Sequence, residues 1–341
     1  MEPIELQQRF FQHIKSRIPA NFSLVDEISD LLNISTDSAY RRIRGEKALS
    51  FEEIQKLCRQ YNISLDHIMN IESNSTVFFG NWLDAENFDF EQYLKDMLLQ
   101  AQAIQKASHK MIYYEAKDIP PFHHFQFPEL AAFKYFFWMK TILAYPECSK
   151  MYYEDNDLKG VLHKTGTEIL RTYNQIHSAE IWSIETVNIT IRQIEYYREA
   201  GVFKKKESVD ILYDQLLAMT DHIKYQAECG EKLLLNQNPL GNRNFQLYYN
   251  EVYLGHNTIL TDADDIHSVF INHGVLNYMI TRDKRFVDYT RKYFENTMSK
   301  SSLISSVNEK ERTRFFNQLN QKVTQSRNNL ALQNENKQSY F

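Results

Sequence analysis

The chain has only three cysteines in 341 residues, Cys58, Cys148 and Cys229. They lie far apart with no paired spacing, so neither a disulfide framework nor a zinc site is indicated, and a reducing cytoplasm is the expected setting. Long apolar runs are lacking too. The most apolar stretch, Leu130 to Tyr145, is cut by Lys134 and Lys140 and is too short to span a bilayer, and the N-terminus has no charged-then-apolar signal layout. No membrane association is expected, and that stretch is predicted to be a buried helix. Basic excess is missing as well: the formal net charge is −5, so any nucleic-acid binding must be local rather than a bulk property.

Catalytic signatures are equally scarce. His123-His124, His163, His177, His267 and His273 lack the spacing of a metal-binding helix, and no glycine-rich phosphate loop or G-x-S-x-G elbow occurs. Asp262, Asp264 and Asp265 resemble the start of a calcium loop, but the central Gly and closing Glu are absent, which makes a solvated turn the expected reading. The sequence therefore predicts no enzyme, no cofactor and no metal. No 34- or 40-residue self-similarity supports helical repeats.

What is present begins with enough apolar side chains, 43% of the composition, for a real core and two or three domains. The stretch from Phe22 to Met69 carries the most specific order. Leu6, Phe10, Ile14 and Ile18 recur every four residues ahead of it, predicting an opening helix that ends at Pro19. Ser23 with Asp26 reads as a capping box for a helix whose Leu24, Val25, Ile28, Leu31 and Leu32 share one face. After a break at Asn33 to Ser35, Thr36 to Arg44 is predicted as a second, shorter helix. Ala39 and Ile43 face inward, Asp37, Ser38 and Arg41 lie opposite, Arg42 and Arg44 flank, and Gly45 stops it. Ser50 with Glu53 starts a further helix bearing Phe51, Ile54, Leu57, Cys58 and Tyr61, and Ser64 begins a last one with Leu65, Ile68 and Met69.

A short helix held across a tight turn, with Arg and short polar residues outward, suits the DNA major groove, because Arg offers paired donors to guanine and Ser, Thr and Asp can contact bases or phosphates. The order of Ser23 to Ser35, then Tyr40-Arg41-Arg42-Ile43-Arg44-Gly45-Glu46, then Ile63-Ser64-Leu65-Asp66 resembles the lambda-repressor-like helix-turn-helix family of xenobiotic-response-element type over roughly the first 70 residues. Many members carry a Gln near the start of the first motif helix and a Trp-Glu pair further on. Here Leu24-Val25 and Arg42-Ile43 stand in those regions, as in a variant branch. The resemblance implies a five-helix domain and double-stranded DNA as partner, with Ser35, Thr36, Asp37, Ser38, Arg41, Arg42, Arg44 and Lys47 as the contacting residues. The bland alternative is a protein-binding module whose R-R-I-R run is a solvated face. Residues 1–72 hold nine Lys and Arg against eleven Asp and Glu, so DNA binding requires the Arg41 to Lys47 segment to gather the positive charge on one side.

The predicted fold class is mainly α: a helix-turn-helix domain over 1–72, a linker over 73–85, a larger, mostly helical region over 86–325, and a disordered polar tail over 326–341. Helices are predicted from Phe88 to about Tyr113, over Glu129 to Ala144 with Phe133, Phe136, Phe137 and Trp138, over Thr165 to Tyr197, Asp210 to Leu235, Arg282 to Met298 and Glu309 to Val323. Phe245 to Tyr253, Thr258 to Thr261 and Ser268 to Thr281 read as a small antiparallel β meander near 244–281. The function expected is a bacterial-type, cytoplasmic, sequence-specific transcription regulator. It would act as a homodimer, with a small-molecule or protein effector at the C-terminal region. Rival readings are an interaction protein of phage or toxin-system type and an enzyme fused to a DNA-binding module.

Overall fold

The computed structural model describes residues 3–19, 22–61, 76–80, 88–252, 255–274 and 276–338, with 63, 65, 68 and 86 besides. The chain divides into two compact units, Met1–Val77 and Phe78–Phe341.

The first unit contains α1 (Pro3–Lys15), α2 (Leu24–Leu32), α3 (Thr36–Ile43) and α4 (Phe51–Gln60). Its core is built from the predicted faces: Phe10 and Ile14 of α1, Ile28 and Leu32 of α2, Ala39 of α3 and Leu57 of α4 are all buried, and Leu6, Ile18, Val25 and Ile43 pack around them. Ile63 and Ile68 join this core, while most of the fifth helix expected from Ser64 lies outside the described residues.

The second unit holds a larger sheet than the predicted meander. Its elements are β1 (Phe79–Gly80), α5 (Phe90–Gln105), β2 (Lys110–Ala116), α6 (Pro128–Phe137), α7 (Thr167–Tyr173), β3 (His177–Trp182), α8 (Asn188–Glu199), α9 (Lys206–Cys229) and β4 (Phe245–Tyr249). They continue with β5 (Thr258–Ala263), β6 (Ile266–Asn272), β7 (Tyr278–Thr281), α10 (Lys284–Ser299), β8 (Ser302–Leu303) and α11 (Glu309–Gln338). The eight strands form one mixed sheet in the order β1-β7-β6-β5-β2-β3-β4-β8. β2, β3 and β4 run parallel, joined through helices, and the remaining neighbours pair antiparallel. The meander exists as β5, β6 and β7; Phe245–Tyr249 instead lies parallel to β3 at the far side.

Side-chain alternation sorts the two faces of this sheet. Tyr113, Ile181, Tyr248, Leu260 and Val269 point to α10, where Val287 and Phe294 close a small core. Tyr114, Ala116, Trp182, Phe245 and Leu247 point the other way, into the main core with α6, α8, α9 and α11. Burial on both faces is why these strands read poorly as alternating patterns.

Several expectations are corrected here. The helix expected from Phe88 to about Tyr113 is shorter, Phe90–Gln105, and its expected last turn is the start of a strand, Lys110–Ala116. His177–Trp182, predicted as helix, is a central strand. The predicted disordered tail continues α11 as far as Gln338, with Ser326 bonded to the Tyr213 hydroxyl at 2.9 Å and Arg327 paired to Asp210 and Asp214. Within the expected linker, Phe79 and Gly80 form β1 against β7, and residues 73–75 and 81–85 lie outside the described set. The expected aromatic helix is present as α6, which continues over Trp138–Ile142 as a wider π turn.

Two of the three aspartates of the 262–265 turn are occupied by protein, and Asp265 is exposed. Asp262 takes Arg291 and His267, and Asp264 accepts from the backbone N–H groups of Ser108 and His109 at 3.1 and 2.8 Å. Among the described residues no cluster of three His, Cys, Asp or Glu could hold a metal ion, and no helix is long and apolar enough to cross a membrane.

Candidate nucleic-acid interface

The turn between α2 and α3 starts at Asn33, which adopts a left-handed φ of 52° and closes α2 by donating its N–H to the Asp30 carbonyl, while Ile34 N–H reaches the Ser29 carbonyl at 3.0 Å. Ser35 then caps α3, its hydroxyl accepting from Ser38 N–H at 3.3 Å. Ala39, fully buried, lets α3 approach α2 closely. The bond predicted between Ser23 and Asp26 does not form; Ser23 caps α2 through its backbone carbonyl, which receives Glu27 N–H.

The C-terminal end of α3 is pinned from α1. The Gln7 carboxamide donates to the carbonyls of Arg42 at 2.7 Å and Lys47 at 2.8 Å and accepts from Leu49 N–H at 3.2 Å, and Gln8 donates to the Arg44 carbonyl at 2.9 Å. These bonds satisfy carbonyls that a helix end leaves free. Gly45, at φ +79°, completes the turn; a Cβ there would come within 2.8 Å of Ile4 Cγ2.

With α3 fixed in this way, Thr36, Asp37, Tyr40, Arg41 and Arg44 are exposed along one side, with Ser35 and Lys47 exposed beyond either end and Ser38 partly covered. Arg41 and Arg44 are 54% and 61% exposed, and Glu46 stands 3.9 and 3.3 Å from them. Pairs this open contribute about 1 kcal/mol at most, so exchanging Glu46 for a phosphate costs little. Tyr40 lies beside Arg44, whose guanidinium carbon is 5.9 Å from the ring centroid. Tyr40 is not among the contacts expected from the resemblance, although its i+4 spacing from Thr36 and to Arg44 places it on the outward row.

Arg42 departs from the expectation. Its side chain is only 6% exposed and turns inward, donating to Glu53 Oε1 from Nε at 3.0 Å and from Nη2 at 2.6 Å, and from Nη1 to the Ser38 carbonyl at 3.1 Å. It holds α3 to α4 and is not presented to a ligand. Glu53 also closes the predicted capping box, accepting Ser50 N–H at 2.9 Å while its own N–H donates to the Ser50 hydroxyl at 3.2 Å. Burial pushes the Glu53 carboxyl up, but the bonds from Arg42 and Ser50 outweigh it and hold the group below its ordinary value.

α2, the turn at Asn33 and α3 with its exposed row have the arrangement of a helix-turn-helix of the DNA-binding kind. In agreement, residues 14–118 match the family model of the BetR domain, a helix-turn-helix family of that kind. The match takes in α2, α3 and α4 and continues through α5 and β2 of the second unit. No curated protein and no solved structure matches the chain.

Proposed function

We propose that the chain is a sequence-specific transcriptional regulator of the lambda-repressor-like type, acting in the cytoplasm. The observation that supports this best is the outward row of α3, Thr36, Asp37, Tyr40, Arg41 and Arg44, on a helix whose two ends are fixed by Ser35 and by Gln7 and Gln8. In this reading α3 enters the major groove, Arg41 reads a base edge, and Arg44 and Lys47 contact phosphates. Ser35, Thr36, Asp37 and Ser38 meet the DNA at the start of the helix. Arg42 positions α3 from within. One such helix touches few base pairs, so the regulator works as a homodimer on two half-sites about one helical turn apart, with the second unit supplying the oligomer contact and an effector or partner site. The reading assigns the chain no enzymatic step and no cofactor.

Genome-wide mapping of bound sites followed by gel shift on the recovered fragment tests it. Retention that falls steeply as salt rises is expected, because each Arg or Lys on a phosphate releases counterions. No retention on any genomic fragment at low salt would overturn it in favour of a protein-interaction module.

A further inference from the structure

A cavity of about 500 Å3 lies within the second unit, between α5, the segment that follows β2, and the face of the sheet made by β5, β6 and β7. This is within the size range of small-molecule sites. Its wall is largely apolar, with Met97 and Ile104 from α5, Ile112 from β2, Ile259 from β5 and Phe270 from β6.

Its polar end is formed by Asp118, Gln193 and Asn257. The Asn257 Oδ1 accepts the backbone N–H groups of Lys117 at 2.9 Å and Asp118 at 3.2 Å. Gln193 Oε1 accepts from the buried Lys134 ammonium at 2.9 Å, and that ammonium also binds Asp118 Oδ2 at 2.7 Å and Thr190 Oγ1 at 3.2 Å. Both carboxamides are therefore oriented, with each oxygen committed to the protein and each NH2 left as what the side chain can offer. Asp118 and Lys134 cancel one another's charge, and the other two charged lining residues, Asp96 and Lys117, are of opposite sign, so the lining carries no net charge to favour an ion. A carbonyl-type oxygen can accept from the two NH2 groups while an apolar body covers the aliphatic wall.

We infer that this cavity binds a small neutral molecule with a mostly apolar body and a carbonyl-type acceptor at one end, received by the NH2 groups of Gln193 and Asn257. That such a molecule acts as an effector rests on the regulator reading above; its binding does not.

The test is calorimetric titration of the full chain with two ketone and hydrocarbon pairs of matched shape, acetophenone with ethylbenzene and acetonaphthone with ethylnaphthalene. The site predicts saturable one-to-one binding in which at least one ketone binds about tenfold tighter than its hydrocarbon, the worth of one retained hydrogen bond. Gln193→Glu and Asn257→Asp each keep the oxygen that the protein uses and exchange the NH2 for an acceptor. Each should abolish the ketone preference and leave hydrocarbon affinity unchanged, with thermal melting as the check on folding. Absence of saturable binding by all four probes, equal affinity within both pairs, or a preference that survives both variants would overturn the proposal, and the comparison on the unaltered chain stands even if a variant unfolds. Gel shifts run in parallel separate the two readings, since ketone preference without DNA retention sinks the regulator alone.

Discussion

Arg42 and Arg41 are sequence neighbours with opposite fates, and the difference is decided by a partner eleven residues away. Glu53 sits at the start of α4 where its carboxylate serves a helix cap and an ion pair together, which draws Arg42 inward. The sequence carried the capping box legibly, but not the second use of its carboxylate, because helical spacing alone does not say which flank of α3 faces α4. Removing one member of a nearly buried pair leaves the other uncompensated, so Arg42→Ala should destabilise the first unit by roughly 3 kcal/mol. Hydrogen exchange of the α3 amides in the full chain would register the loss; unchanged protection would contradict it. Because the Glu53 carboxyl is held below its ordinary value when folded, its contribution is present above the unfolded value and is lost as pH falls through the folded one.

Lys232 gives the opposite kind of pH dependence. Burial pushes its ammonium down to about 7, although nearby Glu180 works against the shift, and Nζ donates to the Ile176 carbonyl beneath the ring of Tyr173. Between pH 7 and the ordinary lysine value the unfolded chain binds the proton that the folded chain releases, so stability should rise with pH across that window. Melting temperature measured from pH 7 to 9 should climb in the natural chain and climb less in Lys232→Met. Parallel curves would remove Lys232 as the cause.

At the scale of elements, the helices of the first unit were legible because each presents one apolar face to a small core, where periodicity and burial coincide. The central strands were not. Lys110–Ala116 and His177–Trp182 are covered on both faces, and β3 carries Glu180 in its middle, which breaks any apolar run. Glu180 is tolerated there through His123 at 3.0 Å and the Tyr173 hydroxyl at 2.5 Å from outside the strand, and the Trp182 indole N–H at 2.8 Å from within it. The stop of α3 was read correctly at Gly45, whose positive φ a side chain resists by about 1–2 kcal/mol. Gly45→Ala, which also crowds Ile4, should lower hydrogen-exchange protection at the end of α3 and weaken DNA retention on every sequence alike. An unaltered exchange pattern would show that the turn does not depend on the glycine.

For the whole molecule, the first unit alone is too small to select one site in a genome, and the second is far larger than a tether requires. The α3 face was read from sequence with most of its residues in place, whereas the cavity of the second unit was not, since its lining comes from strands and helices distant in the chain. Light scattering of the full chain and of the second unit alone, Phe78–Phe341, should give a dimer for both; a monomer in both, at concentrations where DNA is bound by the full chain, would contradict pairing through the second unit.

The central claim is that α3 reads sequence, and binding of Arg41→Ala and Lys47→Ala to the cognate site and to random duplex tests it most directly. Arg41→Ala should lose roughly 1–3 kcal/mol on the cognate site and relax preference at one base pair, while Lys47→Ala weakens all sequences equally. Equal losses on cognate and random DNA for Arg41→Ala would contradict the assignment of a base contact to this helix.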